Sequence, residues 1–384
     1  MASGGDRILV THAGALPRPA DLRALVVAKS AGQPYDAASY ERRLKEAVAE
    51  AVHLQIANGI DIVNDGELSK FNFTDYVRER ITGYQDRPNS GRRRLAIIAR
   101  DERKFPGYFA ANTRAQALGP PTMPVCVAPL RYVGQADLKR DLDNFRAALQ
   151  GVEVTAAFLP ANTPGTIEHW IANEYYKSDE EFVFAIADAI HEEYQAIVDA
   201  GFLLQIDDPD LPDGWNCLPD ITLPDYRRYA EMRVAALNHA LRGIPREKVR
   251  LHVCWGSFHG PHYDDIPLRD IIDLIFQVNA GSYSIEASNP CHQHEWRVFE
   301  AVKLPDGATL VPGVVGHCSD FIEHPDLVAE RLVRYANLVG RENVLAGTDC
   351  GLGTRVGHES ICWAKFAAMA EGARRATKQL WGRA

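Results

Sequence analysis

The strongest hydrophobic pattern along the chain is an alternation of amphipathic helical stretches with short, continuous apolar runs. In "SDEEFVFAIADAIHEEYQAIVDAGFLLQIDD" Ser178 stands three residues before Glu181, the spacing of a capping box. Phe182, Ala185, Ile186, Ala189 and Ile190 then recur at the period of one helix face. Gly201 supplies a C-terminal stop, and "FLLQI" reads as a short buried strand ending at Asp207 and Asp208.

The unit recurs. "YRRYAEMRVAALNHALRGI" predicts a helix ahead of the strand "VRLHVC", and "IPLRDIIDLIFQVNAG" a helix ahead of "SYSIEA". "TLVPGVV", "HPDLVAERLVRYANLVG" and "NVLAGTDCG" continue as strand, helix and strand. Alternation of this kind predicts an α/β fold with a parallel sheet. With the upstream candidates "RILVTH", "IDIVND" and "VEVTAAFLP" the strands number eight, the count of a (β/α)8 TIM barrel. The alternative, a doubly wound open sheet, calls for a glycine-rich phosphate loop after the first strand, and "THAGALPRP" is not one. Residues 84–150 break the period. "YQDRPNSGRRRLAIIARDERKFPGYF" is charged and punctuated, "PPTMPVCVAPLRYVG" is extended, and "DLKRDLDNFRAALQG" returns to helix. The expectation is a single barrel domain over 1–384, with 84–150 as an insertion between strands two and three, a hairpin lid.

Composition narrows the function classes. The 384 residues are 46% hydrophobic, enough for a large core. With 51 acidic against 42 basic residues, the net charge is −9 and no basic stripe is present, which disfavours nucleic acid and anionic membrane as partners. No apolar run is long enough for a signal peptide or a membrane span. Seven cysteines at scattered spacing point to free thiols and a reducing cytoplasm.

Chemistry in such a fold gathers at the C-terminal ends of the strands. Those ends carry Thr11 and His12; Asp65, Gly66 and Glu67; Asp207 and Asp208; His252 and Cys254; Glu286; and Asp349 and Cys350. Residues two apart on a strand face the same way, so His252 and Cys254 both point to the barrel mouth. One imidazole, two thiolates and a carboxylate make a borderline-soft tetrahedral set that suits Zn²⁺; Ca²⁺ or Mg²⁺ would want oxygen throughout. The competing account of His252 and Cys254 is plain core packing, the account that fits Cys126, Cys217, Cys318 and Cys362. His259, His262, His292 and His294, in "GSFHGPHYDD" and "NPCHQHEW", are loop histidines that could be rival ligands; the reading preferred is that they are solvated or support the ligands from outside.

With these residues placed, the chain resembles the cobalamin-independent methionine synthase family, specifically its C-terminal catalytic barrel, over nearly its whole length. "GALPRP" is similar to that family's opening turn, "IDIVNDGE" to its second-strand motif, and "LLQIDDPDL" to its Gln-x-Asp-Glu-Pro segment. "LHVC", "SIEA" and "GTDCGLGTR" resemble its three zinc-ligand segments, in order. The resemblance implies a zinc barrel that activates a thiol for alkylation. His252, Cys254, Glu286 and Cys350 stand at the zinc-ligand positions. Glu67 and Asp207 stand where the family holds the amino group of homocysteine, with Gly14 and Ala15 in the substrate-contacting turn. His317 lies one residue out of register with a histidine that assists proton transfer. Three departures accompany the match: the family's second, N-terminal barrel has no counterpart here, the turn serine is Ala15, and "AAFLPANTPGTIE" has no tryptophan for a folate ring. "EASNPCHQHEW" and "IEHPDLVAERL" look more like the short members, which include epoxyalkane:coenzyme M transferase.

The expected partners are a small-molecule thiol and an alkyl donor. The thiol is open among homocysteine, coenzyme M and glutathione; the donor is open among methyl-folate, a methylated corrinoid, an epoxide and an aryl methyl ether. Oligomeric state is left open. The competing classes are a zinc hydrolase, a zinc-free decarboxylase of the uroporphyrinogen type and a structural zinc protein. The two cysteines argue against the first two.

Overall fold

The computed structural model describes residues 5–88, 99–111, 122–353 and 355–382. Its centre is a seven-stranded sheet in the order Ile62–Asn64, Ala156–Asn162, Leu203–Asp207, Val249–Val253, Ser282–Ile285, Thr309–Val315, Gly347–Thr348. Each strand pairs in parallel with the next. Residues 8–12 run between the two edges and bond to both. Ile62 N donates to Val10 O at 3.1 Å, Thr11 N to Ala346 O at 2.9 Å, and Ala346 N to Leu9 O at 2.8 Å. A sheet whose edges share one segment is curled, and the eight predicted strand segments lie in it in chain order. Leu203–Asp207, Val249–Val253, Ser282–Ile285 and Thr309–Val315 are buried at every residue, as expected of parallel strands covered on both faces.

The interior of the curl is layered by the period of two along each strand. Leu9, Ile62, Phe158, Leu203, Val311 and Leu345 form an apolar plug. One step further along the strands lies Arg250, fully buried, its guanidinium 3.9 Å from the Phe158 ring centroid. It donates to Thr11 Oγ1 and His12 O, each at 2.9 Å, and to Gln205 Oε1. The next step brings Asp207 and His252, so the polar layer forms the floor of the site.

Helix boundaries follow local chemistry. Ser178 caps Asp179–Asp199 by accepting from Glu181 N at 3.1 Å, and Glu181 Oε2 accepts from Lys177 N at 3.0 Å. One predicted helix is reduced: "IPLRDIIDLIFQVNAG" forms only the 3-10 turn Leu268–Asp270 and the short helix Ile272–Ile275. Ile271 at φ −134° interrupts the helical path, and Leu268 N is taken by Glu295 Oε1 at 2.6 Å. The last strand shrinks to Gly347–Thr348, supplemented by bridges at Val10–Ala346 and Leu310–Val344.

A second, three-stranded sheet pairs Ile81–Pro88 antiparallel to Thr122–Tyr132, which also pairs in parallel with Ala172–Asn173. Within the predicted 84–150 segment, 89–98 and 112–121 lie outside the described residues. Gln135–Ala148 is a helix packed on Ala37–Ala57. Residues 99–111 sit on the loop that follows Val249–Val253: Tyr263 N donates to Asp101 Oδ1 at 3.1 Å, and Tyr108 OH to His259 O at 3.2 Å. Among the described residues no helix is long and apolar enough to cross a membrane.

Candidate metal centre

His252 is the fourth residue of its strand and Cys254 follows that strand's last residue, so both face the mouth of the curled sheet. Cys350 arrives from the end of Gly347–Thr348, and its Sγ lies 3.6 Å from that of Cys254. One ligand atom each from His252, Cys254 and Cys350 falls within 4.8 Å of the others. His252 Nδ1 sits 3.2 Å from Ser284 Oγ, which fixes the ring; its Nε2 is buried with no hydrogen-bond partner. Ser257 Oγ adds a 3.4 Å hydrogen bond to Cys350 Sγ.

The two sulfurs share a proton unequally. Donation from Cys254, opposed by burial and helped by His252, holds Cys350 well below the ordinary thiol range. The same contact, with burial, pushes Cys254 well above it. Burial works against a charged His252, but the closeness and charge of Cys350 and the charge of Asp207 outweigh it and raise the imidazole.

Glu286 is not in that trio. Its Oε2 accepts from Trp255 N at 2.8 Å and its Oε1 from Asn289 Nδ2 at 3.0 Å. It meets His317 and Asp349 in a second buried group within 4.8 Å. Three of the four predicted metal ligands are thus brought together, and the fourth stands in the adjoining group. Asp349 braces this rim, accepting from Ala287 N and Ser288 N, each at 2.8 Å. Burial and the charge of Asp349 raise Glu286. His317 is buried with its Nε2 unpartnered. Although burial opposes its charge, the hydrogen bond with Cys318 and the charges of Cys350 and Glu286 raise it to about 10.

A cavity of about 530 Å³ opens beside the trio. Ala15, Glu67, Asp207, His252, Cys254 and Cys350 all line it; among the described residues Gly14, Glu286 and His317 do not. Glu67 has φ 56°, a left-handed backbone rare for its type. Its Oε1 lies 2.5 Å from where a Cβ on Gly14 would be, so Gly14 makes room for it. Lys70 Nζ stands 3.5 Å from Glu67 Oε2 and donates to Pro160 O at 2.7 Å. Asp207 is held by Gln205 Nε2 at 2.7 Å and is pushed up to about 7 by burial, with the charge of His252 opposing and that of Glu67 adding.

The sequence reading missed further wall residues. Trp170, Asp210 and Asp213 line the same cavity. Trp170 stands two residues beyond the end of "AAFLPANTPGTIE", capping the short helix Pro164–His169. Asp210 and Asp213 sit one helical turn apart on Asp210–Cys217, directly after the "QIDDP" strand end that the sequence did flag. Of the four loop histidines, His259 and His294 are exposed, while His262 and His292 are buried.

Residues 153–375 match the model of the cobalamin-independent synthase catalytic domain. A methionine synthase of Sulfurisphaera tokodaii is 24% identical over 89% of this chain and 85% of its own length. One from Thermococcus kodakarensis is 25% identical over 86% and 84%. A B12-independent methionine synthase from Shewanella sp. W3-18-1, solved in complex with selenomethionine, has a TM-score of 0.73 at 21% identity, covering 98% of this chain and 100% of that one. A putative vitamin-B12 independent methionine synthase from Listeria monocytogenes gives a TM-score of 0.66 at 17% identity, over 98% and 100%. The curled parallel sheet, the order of its site-bearing strand ends and the domain match agree, and the chain belongs to the cobalamin-independent synthase family, of which it carries the catalytic domain.

Proposed function

We propose that this protein is a zinc-dependent thiol alkyltransferase, of the methionine synthase type, that methylates a small thiol such as homocysteine. The observation that carries the reading is that His252, whose buried Nε2 has no hydrogen-bond partner, brings a ring nitrogen within 4.8 Å of two free thiols on the wall of a 530 Å³ cavity. A buried imidazole nitrogen left without a partner is costly, and a ligand accounts for it. The donor set of one nitrogen and two sulfurs fits Zn²⁺ better than a hard cation. His252, Cys254 and Cys350 would hold it, with Glu286 beside them as the fourth donor that the family resemblance implies. Bound there, zinc supplies the Lewis acidity that deprotonates a coordinating thiol.

The chain's own residues then position the reactants. Glu67 and Asp207 face the cavity as a carboxyl pair for an ammonium group. Trp170 with Asp210 and Asp213 offers an aromatic plane edged by carboxyls, which suits a flat, N–H-bearing donor such as methyl-folate. His317, charged at neutral pH beside Glu286 and Cys350, is a proton source for the departing group. The fold reading that goes with this is a (β/α)8 barrel in which residues 84–150 form an insertion over the mouth; the docking of 99–111 on the loop after Val249–Val253 supports it.

Lys70 and Ala15 favour a second reading. Lys70 already supplies a cation 3.5 Å from Glu67, and Ala15 replaces a polar contact, so an anionic thiol such as coenzyme M opening an epoxide also fits. Zinc-edge X-ray absorption with a panel of thiols tests both. Homocysteine adding a sulfur to the zinc shell supports the first reading, and coenzyme M alone doing so supports the second. A shell that no thiol changes leaves a hydrolytic or structural metal and removes the transferase assignment.

A further inference from the structure

Beside the trio lies a buried chain of ionisable groups that none of the roles above uses. Asp265 Oδ2 is 2.8 Å from His262 Nδ1 and 3.0 Å from His292 Nε2. His292 Nδ1 is 2.9 Å from Glu295 Oε2. The other ends are also tied: His262 Nε2 lies 3.2 Å from Phe258 O, and Leu268 N donates to Glu295 Oε1 at 2.6 Å. Each ring nitrogen therefore faces an acceptor, two carboxylates for His292 and a carboxylate and a carbonyl for His262. A neutral imidazole can donate through only one nitrogen, so both rings are imidazolium. Two cations and two carboxylates give a chain of zero net charge with all four side chains buried, an arrangement stable only when every pair is made. The directions of titration agree: despite burial, Asp265 and Glu295 raise His292 to about 10, and the two histidines hold Asp265 below its ordinary value.

The chain ties two loops. Asp265 and His262 belong to the loop that carries Cys254 and Trp255; His292 and Glu295 follow Glu286. The His292 ring is stacked on Trp255 with centroids 4.0 Å apart at 21°, and Trp255 N is the donor to Glu286 Oε2. His262, stacked on Phe258 at 4.0 Å, takes φ 48° to reach Asp265, a strained backbone that its partners must hold. We infer that His292, pinned by Asp265 and Glu295 against Trp255, is a positioning residue that sets Glu286 against the His252–Cys254–Cys350 trio. This inference rests on the metal reading above.

Co²⁺ titration followed by visible absorption tests it, because Co²⁺ accepts the same nitrogen and sulfur ligands and reports their geometry. His292→Phe keeps a flat ring on Trp255 but removes both N–H donors. Glu295→Gln is the gentler change, keeping an oxygen for Leu268 N. Circular dichroism melts of the metal-free variants check that they fold. The expected result is Co²⁺ affinity lowered on the order of 10–100-fold in His292→Phe, with absorption bands displaced from wild type in both variants. If wild type binds Co²⁺ and folded Glu295→Gln and His292→Phe match it in affinity and bands, this inference fails while the metal reading stands. If wild type takes up no Co²⁺, the metal reading fails and the inference falls with it.

Discussion

At the scale of single residues, Gly14 and Glu67 fix one another. Gly14 has φ +134°, where an L side chain is strained, and any Cβ there would lie 2.5 Å from Glu67 Oε1. Gly14→Ala is therefore expected to destabilise the protein by about 1–3 kcal/mol through backbone strain. It should also push Glu67 off the cavity wall, weakening capture of an aminothiol more than of a thiol without an ammonium group. Urea unfolding reads the first effect, and calorimetric titration with homocysteine and with a thiol lacking the amine reads the second. Equal loss for both thiols would remove Glu67 from the ammonium site. Cys350 is the sharper case. Cys350→Ser leaves His252 and Cys254 in place but replaces the sulfur that carries the thiolate. Zinc affinity should fall by more than the roughly 10–100-fold typical of losing an outer partner. Unchanged zinc content in dialysed Cys350→Ser protein would take that residue out of the ligand set.

At the scale of elements, the loop bearing His317 is held from behind. Lys365, fully buried on Glu359–Trp381, reaches Glu323 Oε2 at 3.0 Å, and Glu323 Oε1 accepts from Gly316 N at 2.8 Å. Lys365→Met leaves Glu323 without its cation and should cost roughly 3–5 kcal/mol. Pairing it with Glu323→Gln should recover part of that loss, which a double-mutant cycle of urea midpoints would show. What could be read in the sequence at this scale depended on contrast. Strands announced themselves because parallel strands covered on both faces are apolar throughout, and "FLLQI", "VRLHV" and "TLVPGVV" appear where expected. The Asp179–Asp199 helix was legible from its cap and its stripe. "IPLRDIIDLIF" forms only a 3-10 turn and one short helix, and Ile266, Leu268, Ile271, Ile272, Leu274 and Ile275 are all buried. Periodicity carries little information in a segment packed all round. Trp170 lies two residues past "AAFLPANTPGTIE", at the C-cap of a short helix whose extent the sequence does not mark. The His262–Asp265 and His292–Glu295 pairs stood in the sequence as charge partners three residues apart, but their junction at one Asp265 oxygen is a tertiary fact. That His252 and Cys254 face the same mouth was legible through strand period, while the placement of Glu286 with His317 and Asp349 depends on how two loops meet.

At the scale of the whole molecule, the strand ends around the cavity carry buried carboxyls whose titration is raised, Asp207 and Asp210 on the cavity wall and Asp65 and Asp208 outside it. Asp65 is raised to about 6, Asp207 to about 7, Asp208 to about 6 and Asp210 to about 8, in each case chiefly by burial. In the unfolded chain these groups titrate near pH 3.9. Between that value and their folded values the native state holds more protons than the unfolded one, so stability falls as pH rises. His292 and His317, each raised to about 10 from an unfolded value of roughly 6.5, act in the same direction above neutrality. Cys350, which is depressed, and His12, lowered to about 3 by burial, act in the opposite direction, and Cys254, which is raised, acts only above its unfolded value; the raised carboxyls outnumber the two opposing groups. Urea unfolding across pH 5 to 7 should therefore show stability declining by roughly 1 kcal/mol per pH unit or more, the scale set by about 1.4 kcal/mol per proton per unit. A cation held at the mouth changes the balance, since it favours the ionised carboxylates that burial disfavours. Repeating the series with Zn²⁺ present should flatten the decline and move maximal stability toward neutral pH. A profile that rises from pH 5 to 7 without metal would mean that these aspartates ionise freely, and that the wall is wetter than its burial indicates.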